Sequence, residues 1–352
     1  MKNMKPRVKI MGRGFCALLL GSAASLFLLA GIVANAQTTY TEQGVNGSWN
    51  TTTIWSPVGP PDGVDNTIAS INPNGGRTIT LDGNHTIGNI SFTINNNRSY
   101  TINSGTPSSS TLTLQVSSGT PSVWVGAGNT SGNMYVNAPL AGTQGFSKSG
   151  VGFFVLGGVD TITGTINITG TGTGASSGGW LVVNGSLPVN APVQVNNYGG
   201  LAGYGTIYDA VTLNSGGNID PGNAAYNSYS VGTLTAGSLT WNGGGSMTYE
   251  LATAGASDSV ILDGSLTKGT AGTYSFSFTQ NSGFSTSQTY TLMTFTSDSG
   301  FSDSDFSGAP TGMQFDLTGT SLLLEPVPEP ATLALLGLGG VAAAWQIRRR
   351  KV

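Results

Sequence analysis

Residues 148–222 decide the fold, because short apolar runs alternate there with glycine-rich corners. Four segments carry the pattern: KSGVGFFVLGG at 148–158, LVVNGSL at 181–187, GGLAGYGTI at 199–207 and GGNIDPG at 216–222. Apolar runs this short, bounded by Gly, Asn and Ser, are typical of strands that end in turns. Glycine accounts for 54 of the 352 residues, about twice the usual share. The stretch therefore predicts strands joined by tight corners.

The rest of the chain repeats this organisation. Many runs are three to six residues long with period-2 alternation, at 78–81, 112–116, 123–125, 153–156, 180–183, 193–195, 211–213 and 238–241. No helical pattern of the length needed for βαβ units separates them, so the chain is predicted to be all-β. Abundant glycine and a charged fraction of 8% favour a solenoid over a sandwich, because stacked strands place like positions side by side.

The order of the segments in 148–222 resembles the autotransporter-associated β-strand repeat. That resemblance implies a right-handed parallel β-helix. The segment from residue 45 onward is also similar to the start of such passenger domains, through Trp49, Trp55, Pro61, Asp62 and Asp65. Asp220 departs from the pattern, because an apolar or small residue is usual at that position.

The N-terminus has the three parts of a secretory signal peptide. A basic segment precedes the apolar run 15–33, which ends in Ala34-Asn35-Ala36. We predict a signal helix in residues 1–36 with cleavage after Ala36; an uncleaved anchor is the alternative. The one Cys of the chain, Cys16, would leave with this segment, which fits an exported protein without disulfides.

The C-terminus carries a second apolar segment. Pro328-Glu329-Pro330 precedes apolar residues 331–347, and Arg348, Arg349, Arg350 and Lys351 follow. Seventeen helical residues span roughly 26 Å, slightly less than the hydrocarbon core. We predict a transmembrane helix with its basic tail in the cytoplasm, by the positive-inside rule.

Residues 327–352 resemble the PEP-CTERM sorting signal of Gram-negative bacteria, in the order Pro-Glu-Pro, short helix, Arg-rich tail. The resemblance implies that an exosortase-type membrane transpeptidase is a partner and that the membrane anchor is transient. It also implies an exported protein of the cell envelope or extracellular surface, associated with exopolysaccharide or biofilm.

The predicted organisation has four parts: a signal peptide at 1–36, a β-solenoid at 37–228, terminal coils or a β-sandwich cap at 229–326, and the sorting signal at 327–352. In the third part the strands lengthen and gain aromatic residues, with predicted strands at 247–251, 274–278, 290–295, 313–317 and 322–324. Such a cap would cover the open end of the solenoid.

Little in the chain predicts catalysis. Residues 37–327 hold four basic and fifteen acidic residues, so nucleic acid is not an expected partner. His85 is expected to be a solvent-exposed turn histidine without a catalytic partner. Two carboxylate pairs could in principle hydrolyse glycosides, Asp62 with Asp65 and Asp258 with Asp263, but both lie in turn-like contexts.

Two binding signals remain. Asp303, Asp305 and Ser307 match the first half of a calcium loop with Gly308 at position 6, although Gln314 stands where a bidentate Glu is expected. No other cofactor is expected. Eight aromatic residues could stack on sugars or could pack within the coils: Trp124, Tyr135, Trp180, Tyr198, Tyr204, Tyr208, Tyr226 and Tyr229.

The sequence thus predicts an exported, non-enzymatic β-solenoid with a structural or adhesive role at the cell surface or in an extracellular matrix. A carbohydrate-binding module that uses aromatics or calcium is the alternative. A polysaccharide lyase or glycosidase is the third possibility.

Overall fold

The structure is a computed structural model that describes residues 37–70, 76–94, 99–127, 132–171, 178–225 and 228–328. The predicted signal peptide with Ala34 and Ala36, and the sorting signal from Glu329 to the basic tail, lie outside these residues. Within them, helix is limited to the single 3-10 turns Thr52–Ile54 and Asp303–Asp305. The prediction of an all-β chain is therefore confirmed for the described part.

Among these described residues, no helix has the length and hydropathy to cross a bilayer.

The sheet that we call the second sheet has eleven strands, all paired in parallel, and their order in the sheet is their order in the chain. Each strand pairs with the strand of this same sheet that comes next in the sequence. The backbone therefore leaves the sheet after each strand and returns to it one strand further along; we call each such passage a circuit. This second sheet contains Gly47–Ser48, Arg77–Leu81, Ser99–Ser104, Asn133–Val136, Phe153–Leu156, Gly179–Val183, Gly199–Gly203, Asn218–Pro221, Ser246–Leu251, Tyr274–Gln280 and Phe306–Ser307.

A larger sheet, the first sheet, has seventeen strands, and along the chain its strands alternate with those of the second sheet. Most of its pairs are parallel, whereas antiparallel pairs occur near its two ends. This first sheet contains Thr39–Glu42, Trp55–Ser56, Thr67–Ser70, Asn89–Ile94, Ser122–Ala127, Phe146–Ser149, Ile166–Ile168, Ser186–Leu187, Val193–Val195, Thr206–Leu213, Thr233–Trp241, Ser259–Leu262, Ser265–Lys268, Tyr290–Thr294, Ser297–Ser299, Met313–Leu317 and Ser321–Pro326.

A third sheet is short and parallel, with strands His85–Ile87, Leu112–Leu114 and Leu140–Ala141. A further hairpin pairs Asn223–Ala225 with Ser228–Ser230; we call these two strands the insertion hairpin. Strands that recur in chain order through successive sheets, each parallel to its predecessor, are compatible with a β-solenoid.

Two strands are longer than the sequence predicts. The runs at 211–213 and 238–241 are the second halves of Thr206–Leu213 and Thr233–Trp241. Thr206–Leu213 pairs first with Ser186–Leu187 and then with Val193–Val195, and its register with Thr233–Trp241 shifts between Ile207 and Ala210. One long strand thus pairs with two shorter strands in succession. Period-2 alternation cannot reveal this, because the register shift falls inside the long strand.

The core lies on the inner side of the sheets. Alternation directs every second side chain inward, and the parallel register then places equivalent residues side by side. Phe146, Ile166, Val193 and Val211 form one such row on the first sheet, and all four are buried. Burying each aliphatic side chain stabilises the fold by roughly 1.5–3 kcal/mol, so the repeated rows hold the stack together.

A polar ladder supports one corner between the first and second sheets. The side-chain amide of Asn214 donates to Asn196, and that of Asn242 donates to Asn214, at 2.9 and 2.8 Å. Asn242 in turn accepts the backbone N–H of Thr270. Uncharged amides suit this place because each can donate to one neighbour and accept from the next without charge repulsion.

The middle of the second sheet is buried on both faces. Every residue of Phe153–Leu156 and of Gly199–Gly203 is buried. The insertion hairpin lies against Gly179–Val183 and Gly199–Gly203 on the outer face, where the outward row of Val155, Val182 and Ala202 belongs to a second apolar cluster.

The last strands of the described part pair in antiparallel fashion. Ser321–Pro326 pairs with both Tyr290–Thr294 and Met313–Leu317; we call the strands Met313–Leu317 and Ser321–Pro326 the terminal hairpin. Parallel pairing runs across the predicted boundary at residues 228 and 229, because Thr206–Leu213 pairs with Thr233–Trp241. The division into a solenoid and terminal coils or a cap remains a prediction.

Candidate functional site

Three buried carboxylates meet beside the insertion hairpin. Asp220 lies in the strand Asn218–Pro221, Glu250 lies in Ser246–Leu251, and Asp258 directly precedes Ser259–Leu262. Each contributes a carboxylate oxygen, and these oxygens all lie within 4.8 Å of one another. The exposed fractions are 6% for Asp220, 3% for Glu250 and 0% for Asp258. We call these three residues the acidic cluster.

Strand alternation explains why Asp220 faces this place. On the outer face of the second sheet, register aligns Val155 with Val182, Val182 with Ala202, and Ala202 with Asp220. The row is apolar until Asp220, the residue at which the sequence departs from the repeat pattern. The carboxylate therefore takes a position that its neighbours fill with hydrocarbon.

Asp258 is held by backbone donors. Its Oδ1 accepts the N–H of Gly232 at 2.7 Å, and its Oδ2 accepts the N–H of Glu250 at 2.6 Å. The N–H of Asp258 in turn donates to the carbonyl of Glu250 at 3.0 Å. These bonds fix the orientation of the Asp258 carboxylate and tie it to the segment that follows the hairpin.

Burial controls the charge of the cluster. It raises the pKa of Asp220 to about 8, and the nearby charge of Glu250 acts in the same direction. Burial and a hydrogen bond to the Glu250 carboxyl also raise the pKa of Asp258, against the opposing effect of its backbone donors. The pKa of the buried Tyr249 phenol is raised for the same reasons, by burial and by the charges of Asp258 and Asp220. Like charges this close are not stable together unless a proton or a cation neutralises them.

The structure separates the predicted pair of Asp258 and Asp263. Asp263 is exposed, whereas Asp258 joins Asp220 and Glu250. Glu250 carries no local sequence signal that would have singled it out. The available signal was Asp220, since a carboxylate at an otherwise apolar repeat position requires compensation elsewhere.

The expectation of an exposed His85 is wrong. His85 is 6% exposed and stacks on Trp49, with ring centroids 5.1 Å apart. Its Nδ1 lies 3.0 Å from both oxygens of Asp62, and its Nε2 lies 3.0 Å from Oδ1 of Asp82. The loop that carries Asp62 folds over the strand His85–Ile87, a contact between residues far apart in sequence. Both ring nitrogens are engaged, so His85 links the loop of Asp62 to the turn that carries Asp82.

The carboxylates near His85 accept hydrogen bonds from other residues of the N-terminal part of the described chain. Asp82 also accepts hydrogen bonds from Ser48 and Asn50, which belong to the first circuit. Partial burial raises the pKa of Asp82, but hydrogen bonds from Ser48 and His85 outweigh it, and the net direction is downward. Asp65 instead accepts the N–H of Ser117 at 2.7 Å. The predicted pair of Asp62 and Asp65 thus binds two different partners.

The residues of the predicted calcium loop make protein contacts. Asp305 accepts from Lys268 Nζ at 2.6 Å, and this bond lowers its pKa. Asp303 accepts the N–H of Leu317 at 2.7 Å, and the Ser307 hydroxyl donates to the carbonyl of Tyr274 at 3.4 Å. Asp303 and Ser307 line an open cleft of about 450 Å³. Calcium binding at Asp303, Asp305 and Ser307 remains a prediction.

The aromatic residues are distributed over several surfaces. Trp124 is on the first sheet, and Tyr135 and Trp180 are on the second. Tyr198, Tyr204 and Tyr208 are exposed, the last two by 55% each. The side chains of Tyr226 and Tyr229 lie outside the part that the structure describes. Trp180 stacks on Phe153, with an interplanar angle of 18°, and its ring lies over the backbone of Gly200.

Comparison with known proteins adds two findings. Residues 326–350 match the PEP-CTERM protein-sorting motif. A segment of 134 residues is 34% identical to the adhesin BmaC autotransporter of Brucella suis biovar 1 (strain 1330), and the match covers 35% of this chain and 4% of that adhesin. The predicted sorting motif is confirmed, and it indicates an exported protein that is sorted by an exosortase-type enzyme.

Proposed function

We propose that this chain is a non-enzymatic structural or adhesive protein of the bacterial cell surface, built as a right-handed parallel β-helix. The observation that carries the proposal is the position of the sorting motif. The last described strand ends at Pro326, and the motif match begins at the same residue. A stack of strands followed directly by a sorting signal suits a domain that is presented outside the cell.

Two further features support this role. The likeness to an adhesin autotransporter extends over about a third of the chain. The described strands bury their apolar rows inside the stack, and their outward positions are rich in Ser, Thr and Asn. We further propose that the protein is held in the membrane by residues 331–347 until an exosortase-type enzyme acts near Pro328-Glu329-Pro330, after which it joins an extracellular matrix or biofilm.

Sugar binding is the second candidate, and one contact favours it. The Trp180 ring lies flat across Gly200, where any Cβ would overlap the ring. Flat aromatic surfaces with nearby amide and hydroxyl groups such as Asn218 and Ser246 suit stacking and hydrogen bonding to a sugar. The partner that we propose is exopolysaccharide, and nucleic acid is not proposed as a partner.

The experiment is a localisation and processing assay in the native bacterium. We compare the full chain with a variant in which Pro328, Glu329 and Pro330 are all replaced by alanine. We expect the wild-type protein at the surface without the Arg348–Lys351 tail, and the variant in the membrane fraction with its tail intact, as read by mass spectrometry. Asp263→Asn, at an exposed carboxyl outside the motif, is the control and should behave as wild type.

Two results would contradict the proposal. The first is an identical distribution of the wild type and the alanine variant. The second is a deletion strain that adheres and forms matrix as well as its complemented counterpart. Hydrolysis or elimination of polysaccharide by the purified protein would instead favour the enzyme alternative.

A further inference from the structure

We propose that Asp220, Glu250 and Asp258 bind a divalent, oxygen-preferring cation, Ca²⁺, at the base of the insertion hairpin. This proposal goes beyond the sorting and surface role and does not depend on it. It also concerns a site different from the one that the sequence suggests at Asp303, Asp305 and Ser307.

The geometry of the acidic cluster fits calcium. Ca²⁺ binds oxygen ligands at about 2.3–2.6 Å, so two oxygens on opposite sides of the ion are at most roughly 5 Å apart. The three carboxylate oxygens here all lie within 4.8 Å of one another. A single ion can therefore reach all three, with waters or carbonyl groups completing its coordination.

Asp220 provides a second, independent observation. It is more than nine-tenths buried, yet no hydrogen-bond donor in the described residues reaches its carboxylate. A buried carboxylate without a donor is energetically expensive, and proteins normally supply a partner. Its oxygen faces those of Glu250 and Asp258, so a cation held among the three groups would supply the partner that Asp220 lacks among the described residues.

The charge balance points the same way. In the described part of the chain, the ion pairs involve His85 and Lys268, and neither reaches the cluster. Three carboxylates brought together without a cation repel one another, whereas a divalent ion offsets two of the three charges. The three ligands that the described residues offer are all carboxylate oxygens, and such ligands select hard cations over transition metals.

One ligand is already oriented. The N–H groups of Gly232 and Glu250 hold both oxygens of Asp258, and each carboxylate oxygen keeps a further lone pair for a metal. The orientation of Asp258 therefore does not have to be created when the ion binds. This leaves Asp220 and Glu250 as the side chains that adjust.

The place of the site in the fold suggests its effect. Asp220 immediately precedes the hairpin, and Asp258 bonds Gly232 just after it. At the hairpin base, Gly222 and Gly203 exchange backbone hydrogen bonds of 2.8 and 2.9 Å. An ion bound here would join the strands Asn218–Pro221 and Ser246–Leu251 to the segment ahead of Ser259–Leu262. We therefore expect calcium to stiffen the hairpin over the outer face of the second sheet.

The test is calcium binding by the full-length protein in detergent, measured by equilibrium dialysis in millimolar Ca²⁺ at neutral pH. Asp220→Asn is the diagnostic variant, because it keeps the shape and loses no hydrogen bond. Asp263→Asn, which changes an exposed carboxylate outside the cluster, is the matched control. Asp303→Asn separates any calcium bound at the other predicted loop. All variants are first compared by circular dichroism.

We expect Asp220→Asn to lose one equivalent of bound calcium, or to bind it at least tenfold more weakly, while Asp263→Asn and Asp303→Asn retain that equivalent. Calcium should raise the melting temperature of the wild type and of both controls but not that of Asp220→Asn. If Asp220→Asn does not fold, Glu250→Gln takes its place with the same expectation.

Several outcomes overturn the proposal. If the wild-type protein binds no calcium at millimolar concentration, the proposal is wrong whatever the variants show. Undiminished binding by Asp220→Asn and Glu250→Gln moves the ion elsewhere. A variant that is equally stabilised in calcium and in chelator shows that a shared proton, rather than a metal, neutralises the cluster.

Discussion

Asp160 and Lys148 show how single buried charges shape this protein. Asp160 is 3% exposed; its Oδ1 accepts the N–H of Leu140 at 2.8 Å, and its Oδ2 has no partner among the described residues. Burial raises the pKa of Asp160 to about 8. Lys148 points into the stack and donates to the carbonyls of Ser149 and Gly150, and burial lowers its pKa to about 7. The two groups therefore affect stability with opposite signs as pH rises.

For Asp160 the sign follows from linkage. Between the unfolded pKa of 3.8 and the folded pKa of about 8, the unfolded chain loses the Asp160 proton while the folded chain keeps it. The free energy of unfolding therefore falls as pH rises through this window. Asp160→Asn keeps an acceptor for Leu140 but removes the ionisation. We expect the variant to be more stable than wild type at pH 8, by on the order of a few kcal/mol, and to show no such gain at pH 4.

Thermal melts at the two pH values measure this difference. Asp263→Asn changes an exposed carboxyl and should alter the melting temperature by a similar small amount at both pH values. A gain for Asp160→Asn that is equal at pH 4 and pH 8 would mean that its burial does not control the proton.

At the scale of elements, the corners depend on glycine for two separable reasons. Gly150 has a φ of +80°, and a Cβ there would overlap the carbonyl oxygen of Val125 in the preceding circuit. Gly255 has nearly the same φ, +82°, but no atom lies within 4 Å of its Cβ position. The backbone conformation is thus matched between the two sites, while the close approach of a neighbouring strand is present only at Gly150.

We expect Gly255→Ala to lower the free energy of unfolding by about 1–2 kcal/mol, the cost of a left-handed conformation for a residue with a Cβ. Gly150→Ala should cost about 1–3 kcal/mol more, because the added methyl group forces the strands apart. Urea unfolding measures both values. Equal losses for the two variants would show that conformation alone determines the requirement for glycine at these corners.

At the scale of the whole molecule, we expect the terminal hairpin to protect an edge of the first sheet. Stacked parallel strands leave unpaired backbone groups at their ends, and such edges can pair with other chains. Ser321–Pro326 pairs with Tyr290–Thr294 and with Met313–Leu317, and its side chains alternate between the core and the outer face. Leu324 is fully buried, whereas Leu323 beside it is half-buried on the opposite face.

This alternation offers a matched pair of substitutions. We expect Leu324→Asp to detach the terminal hairpin, because burying an unpaired carboxylate costs several kcal/mol, and to cause self-association through the exposed edge. Leu323→Asp should leave the protein monomeric. Size-exclusion chromatography with light scattering distinguishes the two. Monomeric Leu324→Asp protein of normal stability would show that the terminal hairpin does not guard the end of the stack.

Much of the strand pattern could be predicted, because it depends on local alternation and local turn chemistry. Phe153–Leu156, Val193–Val195 and Met313–Leu317 have the predicted bounds. The all-β class follows from the same runs, and the sorting motif was recognisable because its order of residues is contiguous. What alternation cannot provide is the alignment of one strand with another, since that depends on the summed lengths of every corner between them.

His85 and the acidic cluster depend on that alignment. Each of these residues looked like an ordinary turn or strand residue, because its partner is distant in sequence. Asp62 lies 23 residues before His85, and Glu250 lies far along the chain from Asp220. Within one strand, the sequence by itself determined which side chains share a face and where the chain must turn. Only the tertiary structure decided which carboxylates meet and which face the insertion hairpin covers. The physical reason is that burial and charge proximity arise from packing between circuits, not from the order of neighbouring residues.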